Sequence, residues 1–174
     1  MKLQIVDSAK YERAYNRYTH VSEFVISNLL AALREEFDVA DDLVIVIRPI
    51  RQSMGTVTRG QAVGQLEVQV DCRSRDVWQI AETIAHELTH AEQYKHNRLC
   101  WTWDIVSDKL MYSYDGQLHD KATSYDEYLD QPWEVEARAR ANDFVNKYKF
   151  EIANIEMRVG DVSPLAERIN RRKK

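Results

Sequence analysis

The sequence predicts a single α+β domain. Three observations point there: long stretches with apolar residues at steps of three and four, short β-branched runs between them, and a chain of 174 residues with 44% apolar side chains. That length supports one buried core and is short for two domains of ordinary size. The formal charge of −4 supplies no general attraction to nucleic acid.

Taken in order, the elements follow from local pattern. From about Tyr11 to Phe37, the residues Tyr15, Tyr18, Val21, Val25, Leu29 and Leu33 recur at the helical period and predict a first amphipathic helix. Asp42 to Ile50 (DLVIVIRPI) is a β-branched run closed by proline, and Gly64 to Asp71 (GQLEVQVD) alternates Leu66, Val68 and Val70 with Glu67, Gln69 and Asp71. Both predict strands, the second with one wet face. MGTVTRGQAVG between them carries three of the five glycines and is expected to hold a hairpin or a short third strand. Ser74 is the expected N-cap of a second helix reaching about Tyr94, with Val77, Ile80, Ala81, Ile84, Leu88 and Ala91 as its apolar stripe. The aromatic segment from Asn97 to Asp130, with WTW at Trp101 to Trp103 and a turn at Tyr114-Asp115-Gly116, is expected to be a loop-and-hairpin insert. Pro132 suits the first position of a third helix running to about Val159, with Ala137, Ala141, Phe144, Tyr148, Ile152 and Ile155 facing inward.

The first residues lack an apolar stretch of signal-peptide length, and no run of about 18 apolar residues follows. A soluble, cytoplasmic protein is the expectation, with no membrane partner. Cys72 and Cys100 are then expected to be reduced thiols, too far apart in sequence for a cysteine-based zinc site. The last seven residues, Arg168 to Lys174, carry five basic side chains. They are expected to form a solvated, partly disordered tail and are the one stretch suited to nucleic acid.

The second helix contains HELTH: His86, Glu87 and His90. Positions i and i+4 share a helix face, so His86 and His90 can aim two imidazole nitrogens at one point. A hydrolytic zinc site takes about three nitrogen or oxygen ligands at about 2.0–2.2 Å and leaves a position open for water. Glu87, beside the first ligand, can reach that water as general base. The pattern fixes only three residues, and two solvated histidines on a polar face would read the same. The strongly helical setting, with both histidines turned away from the apolar stripe, favours a metal.

A third ligand must come from a fixed element elsewhere. Asp130-Gln131-Pro132-Trp133-Glu134-Val135-Glu136-Ala137-Arg138 opens the third helix with two carboxylates that project from nearly opposite sides. Glu134 lies nearer the inward stripe and is chosen, with Glu136 and His119 as alternatives. His96, at the end of the same helix as His90, is aimed away.

HELTH followed by Glu134-Val135-Glu136-Ala137 resembles the zincin metallopeptidases, and within them the glutamate-zincin (gluzincin) branch, where a glutamate from a later helix completes the HExxH site and a small residue follows three positions on. PWEVEAR is also similar to the ExEA segment of small ImmA/IrrE-type bacterial and phage metallopeptidases. The resemblance implies a minimal zincin-like fold, in which a small, mostly antiparallel sheet packs with an N-terminal helix, an HExxH helix and a C-terminal glutamate helix. It implies Zn²⁺ on His86, His90 and Glu134, Glu87 as general base, and hydrolysis of a protein or peptide substrate. In that family an edge strand precedes the active helix and pairs with extended substrate; Leu66 to Val70 stands in that place. A tyrosine, Tyr112, Tyr114, Tyr125 or Tyr128, could donate to the oxyanion. Two features depart from the pattern: Arg138 stands where many gluzincins carry an aspartate that orients a ligand histidine, and more than forty residues separate His90 from Glu134. SprT-like proteases are a rival resemblance, with a histidine as third ligand. A zincin scaffold used only for regulation or for binding nucleic acid or protein is the non-enzymatic alternative. The presence of Glu87 favours the enzyme, since a structural metal site needs no base.

Overall fold

The computed structural model describes residues 1–5, 19–39, 43–48, 50, 53–59, 65–71, 73–74, 76–106 and 108–159. Cys72, the start of the expected first helix before Thr19, and the basic tail 168–174 lie outside the described residues. The elements are β1 (Lys2–Ile5), α1 (Thr19–Glu36), β2 (Val44–Arg48), β3 (Gly55–Arg59), β4 (Leu66–Asp71), α2 (Val77–Lys95), β5 (Leu99–Asp104), β6 (Lys109–Tyr114), β7 (Gln117–His119), α3 (Tyr125–Leu129) and α4 (Pro132–Lys147). After a break at Tyr148 a further helical run, α5, covers 149–159. The expected single helix from Pro132 to Val159 is therefore two.

The main sheet has the order β1-β2-β4-β3. β1, β2 and β4 run parallel, and β3 pairs antiparallel with β4 through Gly55↔Val70 to Arg59↔Leu66. A mostly antiparallel sheet was the expectation; this one is mixed, because α1 carries the chain from β1 back to start β2 at the same end, as a parallel pair requires. The expectation that Leu66 to Val70 forms the edge is also corrected. β4 is interior, flanked by β2 and β3, and β3 is the edge. Two residues of its expected wet face, Gln69 and Asp71, are buried, while Glu67 is half-buried. Gln69 Nε2 donates to Thr58 Oγ1 at 3.1 Å and to Glu67 Oε1 at 2.7 Å, and Asp71 is paired with Arg73 at 2.5 Å.

One core joins the sheet to the helices. Val25, Ile26, Leu29 and Leu33 of α1, Ile45, Ile47, Val68 and Val70 of the sheet, and Val77, Ile80, Ile84 and Leu88 of α2 are all buried in it, with Phe144, Ile152 and Ile155 from the C-terminal helices. Each large apolar side chain so placed contributes about 1.5–3 kcal/mol relative to exposure. The stripe predicted for the second helix is thus the stripe that is buried. Its N-cap is Asp76, not Ser74: Asp76 accepts from the Trp78 and Gln79 amides, while Ser74 Oγ bonds Gln79 Oε1 at 2.9 Å. Both residues are good caps, and the first helical turn selects the one next to Val77.

The expected loop-and-hairpin insert is more regular than the sequence suggests, a three-stranded antiparallel sheet β5-β6-β7 followed by the short helix α3. The expected turn is present. Asp115 and Gly116 both have positive φ, 47° and 80°, as a two-residue hairpin loop with the right twist requires. Leu99, Tyr114 and Trp133 form a second small core there, while Trp101 and Trp103 remain exposed. Among the described residues, no helix is long and apolar enough to cross a membrane, and Cys100 is a free thiol.

Candidate metal centre

The site lies where α2 meets the first turn of α4, the most extensive helix contact in the fold. One helical turn brings the two histidine rings edge to face, with centroids 4.7 Å apart and an interplanar angle of 83°. His86 Nε2 and His90 Nε2 are 3.1 Å apart. α4 supplies the carboxylate. Pro132 occupies the helix start, where its missing N–H costs nothing, and Glu134 sits in the first turn, where the helix dipole favours a negative charge. Its two oxygens reach the two rings, Oε2 at 3.3 Å from His86 Nε2 and Oε1 at 3.2 Å from His90 Nε2.

These three side chains each direct one donor atom at a common point, all within 4.8 Å of one another. Zinc bonds of about 2.0–2.1 Å at tetrahedral angles would separate neighbouring donors by about 3.3 Å. The two ring nitrogens are 3.1 Å apart, and they lie 3.3 Å and 3.2 Å from the two different oxygens of Glu134; two imidazoles with one carboxylate form a donor set that zinc accepts. The residues fit the ion.

Charge around the point is arranged to suit a cation. Burial alone would push the Glu134 carboxyl up, but hydrogen bonds from His86 and His90, attraction to His90 and a hydrogen bond from Tyr128 outweigh it and hold Glu134 ionised. Burial would likewise push the His90 imidazole down, yet its hydrogen bond and attraction to Glu134 raise it instead. Glu87 is only 7% exposed. Burial lifts its carboxyl to about 7, with the two imidazoles pulling the other way and Glu134 adding to the rise. A buried carboxyl whose ionisation is disfavoured in this way is a candidate for proton exchange.

Two residues that the sequence reading missed support these groups. Gly55, the first residue of β3, lies against Glu87 so closely that a Cβ there would fall 2.5 Å from Glu87 Cγ and 2.7 Å from its Oε1. Gln93, three residues after His90, places Oε1 2.9 Å from His90 Nδ1. Its signal in the sequence is a polar residue on the histidine face one turn beyond HExxH.

The alternative ligands are used elsewhere. Glu136, about 200° around the helix from Glu134, accepts from Arg98 Nη1 at 2.8 Å, from Gln93 Nε2 at 2.9 Å and from the Tyr114 hydroxyl. His119 packs edge-on against Trp133, centroids 5.6 Å apart, and His96 pairs with Asp38 at 3.0 Å. Arg138 donates to the Leu129 carbonyl oxygen and ties α3 to α4. Of the four candidate tyrosines, Tyr128 on α3 meets Glu134. Tyr114 is bonded to Glu136, Tyr112 packs between Trp101 and Trp133, and Tyr125 is largely exposed. A cleft of roughly 230 Å³ beside the centre is lined by Tyr112, Tyr125, Tyr128, Gln131 and Trp133, among others. Compared with known proteins, the chain matches no protein-family model, no curated protein and no solved structure.

Proposed function

We propose that the chain is a zinc-dependent metallopeptidase that hydrolyses peptide bonds inside the cell. One observation carries this reading: His86 Nε2, His90 Nε2 and the Glu134 carboxylate converge on one point, with the buried Glu87 beside them. A zinc ion held by these three would supply Lewis acidity, making water more acidic and polarising the scissile carbonyl. Glu87 takes the proton from the attacking water on a carboxylate oxygen. As the C–N bond breaks, it passes that proton to the leaving amine nitrogen. Tyr128 holds Glu134 through its hydroxyl.

Among the described residues no strand pairs with the outer side of β3, and an extended peptide would lie there, since added strands pair with unpaired backbone. Gly55 on that edge puts the backbone directly against Glu87, so a chain paired there runs past the general base. The adjoining cleft of roughly 230 Å³ is below the ~300–1,000 Å³ of sites for drug-sized ligands. Its volume suits a single substrate side chain.

The test is purified protein against a broad peptide library, with zinc measured in parallel. Wild type is expected to bind about one zinc per chain and to cleave. Glu87→Gln is expected to keep the zinc and lose cleavage. Cleavage that survives in Glu87→Gln would reject the mechanism; a zinc-loaded wild type that cleaves nothing would favour a binding domain instead.

A further inference from the structure

Gln93 is 1% exposed, and a buried amide is costly unless its groups are paired. Its pairing is complete and has one sense. Gln93 Nε2 donates to the Trp133 carbonyl oxygen at 3.2 Å and to Glu136 Oε2 at 2.9 Å. A carbonyl oxygen can only accept, so the NH₂ end of the amide must face Trp133 and the carbonyl end must face His90. With Gln93 Oε1 2.9 Å from His90 Nδ1, it is Nδ1 that carries a proton. Nε2, the nitrogen that faces Glu134, is then the one left to coordinate whenever the ring is neutral, and it is aimed at the point shared with His86 and Glu134.

We propose that Gln93 is a positioning residue of the metal centre with two tasks: it fixes His90 in the tautomer that can coordinate, and it seats the first turn of α4 so that Glu134 meets that ring. This rests on the reading of His86, His90 and Glu134 as ligands.

The anchoring continues into the insert. Helix α2 ends with Asn97 in the left-handed region, φ 54°, and with Arg98 N bonded to Gln93 O at 2.9 Å, the reversal that ends many helices. It turns Arg98 back under α4, where Nη1 holds Glu136 Oε1 at 2.8 Å, Nη2 meets the Tyr114 hydroxyl at 2.8 Å, and Nε meets Asp115 Oδ1 at 2.8 Å. His90, Gln93, Glu136 and Arg98 thus form one connected line from the centre to the β6–β7 turn. The task that an aspartate on the glutamate helix would perform is here carried by the HExxH helix itself.

The test uses Gln93→Met, close to isosteric but without the amide, and Gln93→Glu, which can still accept from Nδ1–H. Two readouts are taken on full-length protein: zinc affinity by chelator competition, and the hydrogen-bonded Nδ1–H proton of His90 by NMR of the zinc-loaded form. Loss of a partner behind a ligand histidine lowers affinity about 10–100-fold. That loss is expected in Gln93→Met, with an upfield move of the Nδ1–H resonance. Gln93→Glu is expected to keep the resonance downfield. Wild-type affinity in a folded Gln93→Met, or an unmoved resonance, overturns the inference and leaves the ligand reading standing. A wild type that binds no zinc overturns the ligand reading and this inference with it.

Discussion

The Gly55→Ala substitution tests whether Glu87 is held in place by the edge strand. Carbon atoms in contact sit about 3.5–4.0 Å apart, whereas the new methyl would lie 2.5 Å from Glu87 Cγ and 2.9 Å from its Cδ. About 1 Å of movement is therefore required. The strand start is pinned by Asp71 N donating to Met54 O at 2.8 Å and Ser53 Oγ donating to Gly55 O at 2.7 Å, so the side chain is what yields. A displacement of about 1 Å in a reacting group costs on the order of 10²-fold in rate, or about 2.7 kcal/mol of barrier. The three atoms nearest the new methyl all belong to Glu87, so zinc is expected to stay. The assay is kcat/KM on a cleaved library peptide alongside zinc content, with the expected result a fall near 10²-fold at full zinc. Wild-type turnover in a folded, zinc-loaded Gly55→Ala would refute the idea that backbone contact positions the base.

Other consequences follow from the same geometry. Glu134→Ala is expected to lose zinc, while His119→Ala, whose ring lies against Trp133, keeps it; metal analysis of both decides, and full zinc in Glu134→Ala would contradict the assignment. Zinc at 100 times its Kd is expected to stabilise the fold by about 2.7 kcal/mol, which for a chain of this size raises Tm by about 5–11 °C; a thermal scan with and without chelator reads this, and identical curves would count against it. Asp76→Ala is expected to cost about 1 kcal/mol in denaturant unfolding through loss of the α2 cap, and a larger loss in Ser74→Ala would reverse the cap assignment.

What could be read from the sequence was what depends on local period. The α2 stripe and the shared face of His86 and His90 follow from 3.6 residues per turn, and the choice of Glu134 over Glu136 follows from the same arithmetic, because residues two apart cannot face one point and Glu134 lies nearer the Ala137, Ala141 and Phe144 stripe. The Asp115-Gly116 turn was legible from its residue types. Strand partners were not: alternation in Leu66 to Val70 shows a pleat but carries no information about neighbours, so β4 read as an edge with a wet face although β2 and β3 flank it. The insert sheet was obscured for a related reason, since the alternating aromatic residues of β5, Trp101 and Trp103, remain exposed. Gly55 and Gln93 act through contacts made only after folding: a glycine in a strand signals a close approach without naming what approaches, and a buried glutamine reads as a surface residue until its partners on α4 are in place.

Anomalous X-ray scattering from crystals of the zinc-loaded protein, measured on both sides of the zinc edge, decides whether an ion sits between α2 and α4. One strong anomalous peak per chain is expected, within about 2.0–2.2 Å of His86 Nε2, His90 Nε2 and a Glu134 oxygen. A peak held by other side chains, or no peak between α2 and α4, would contradict the metal site.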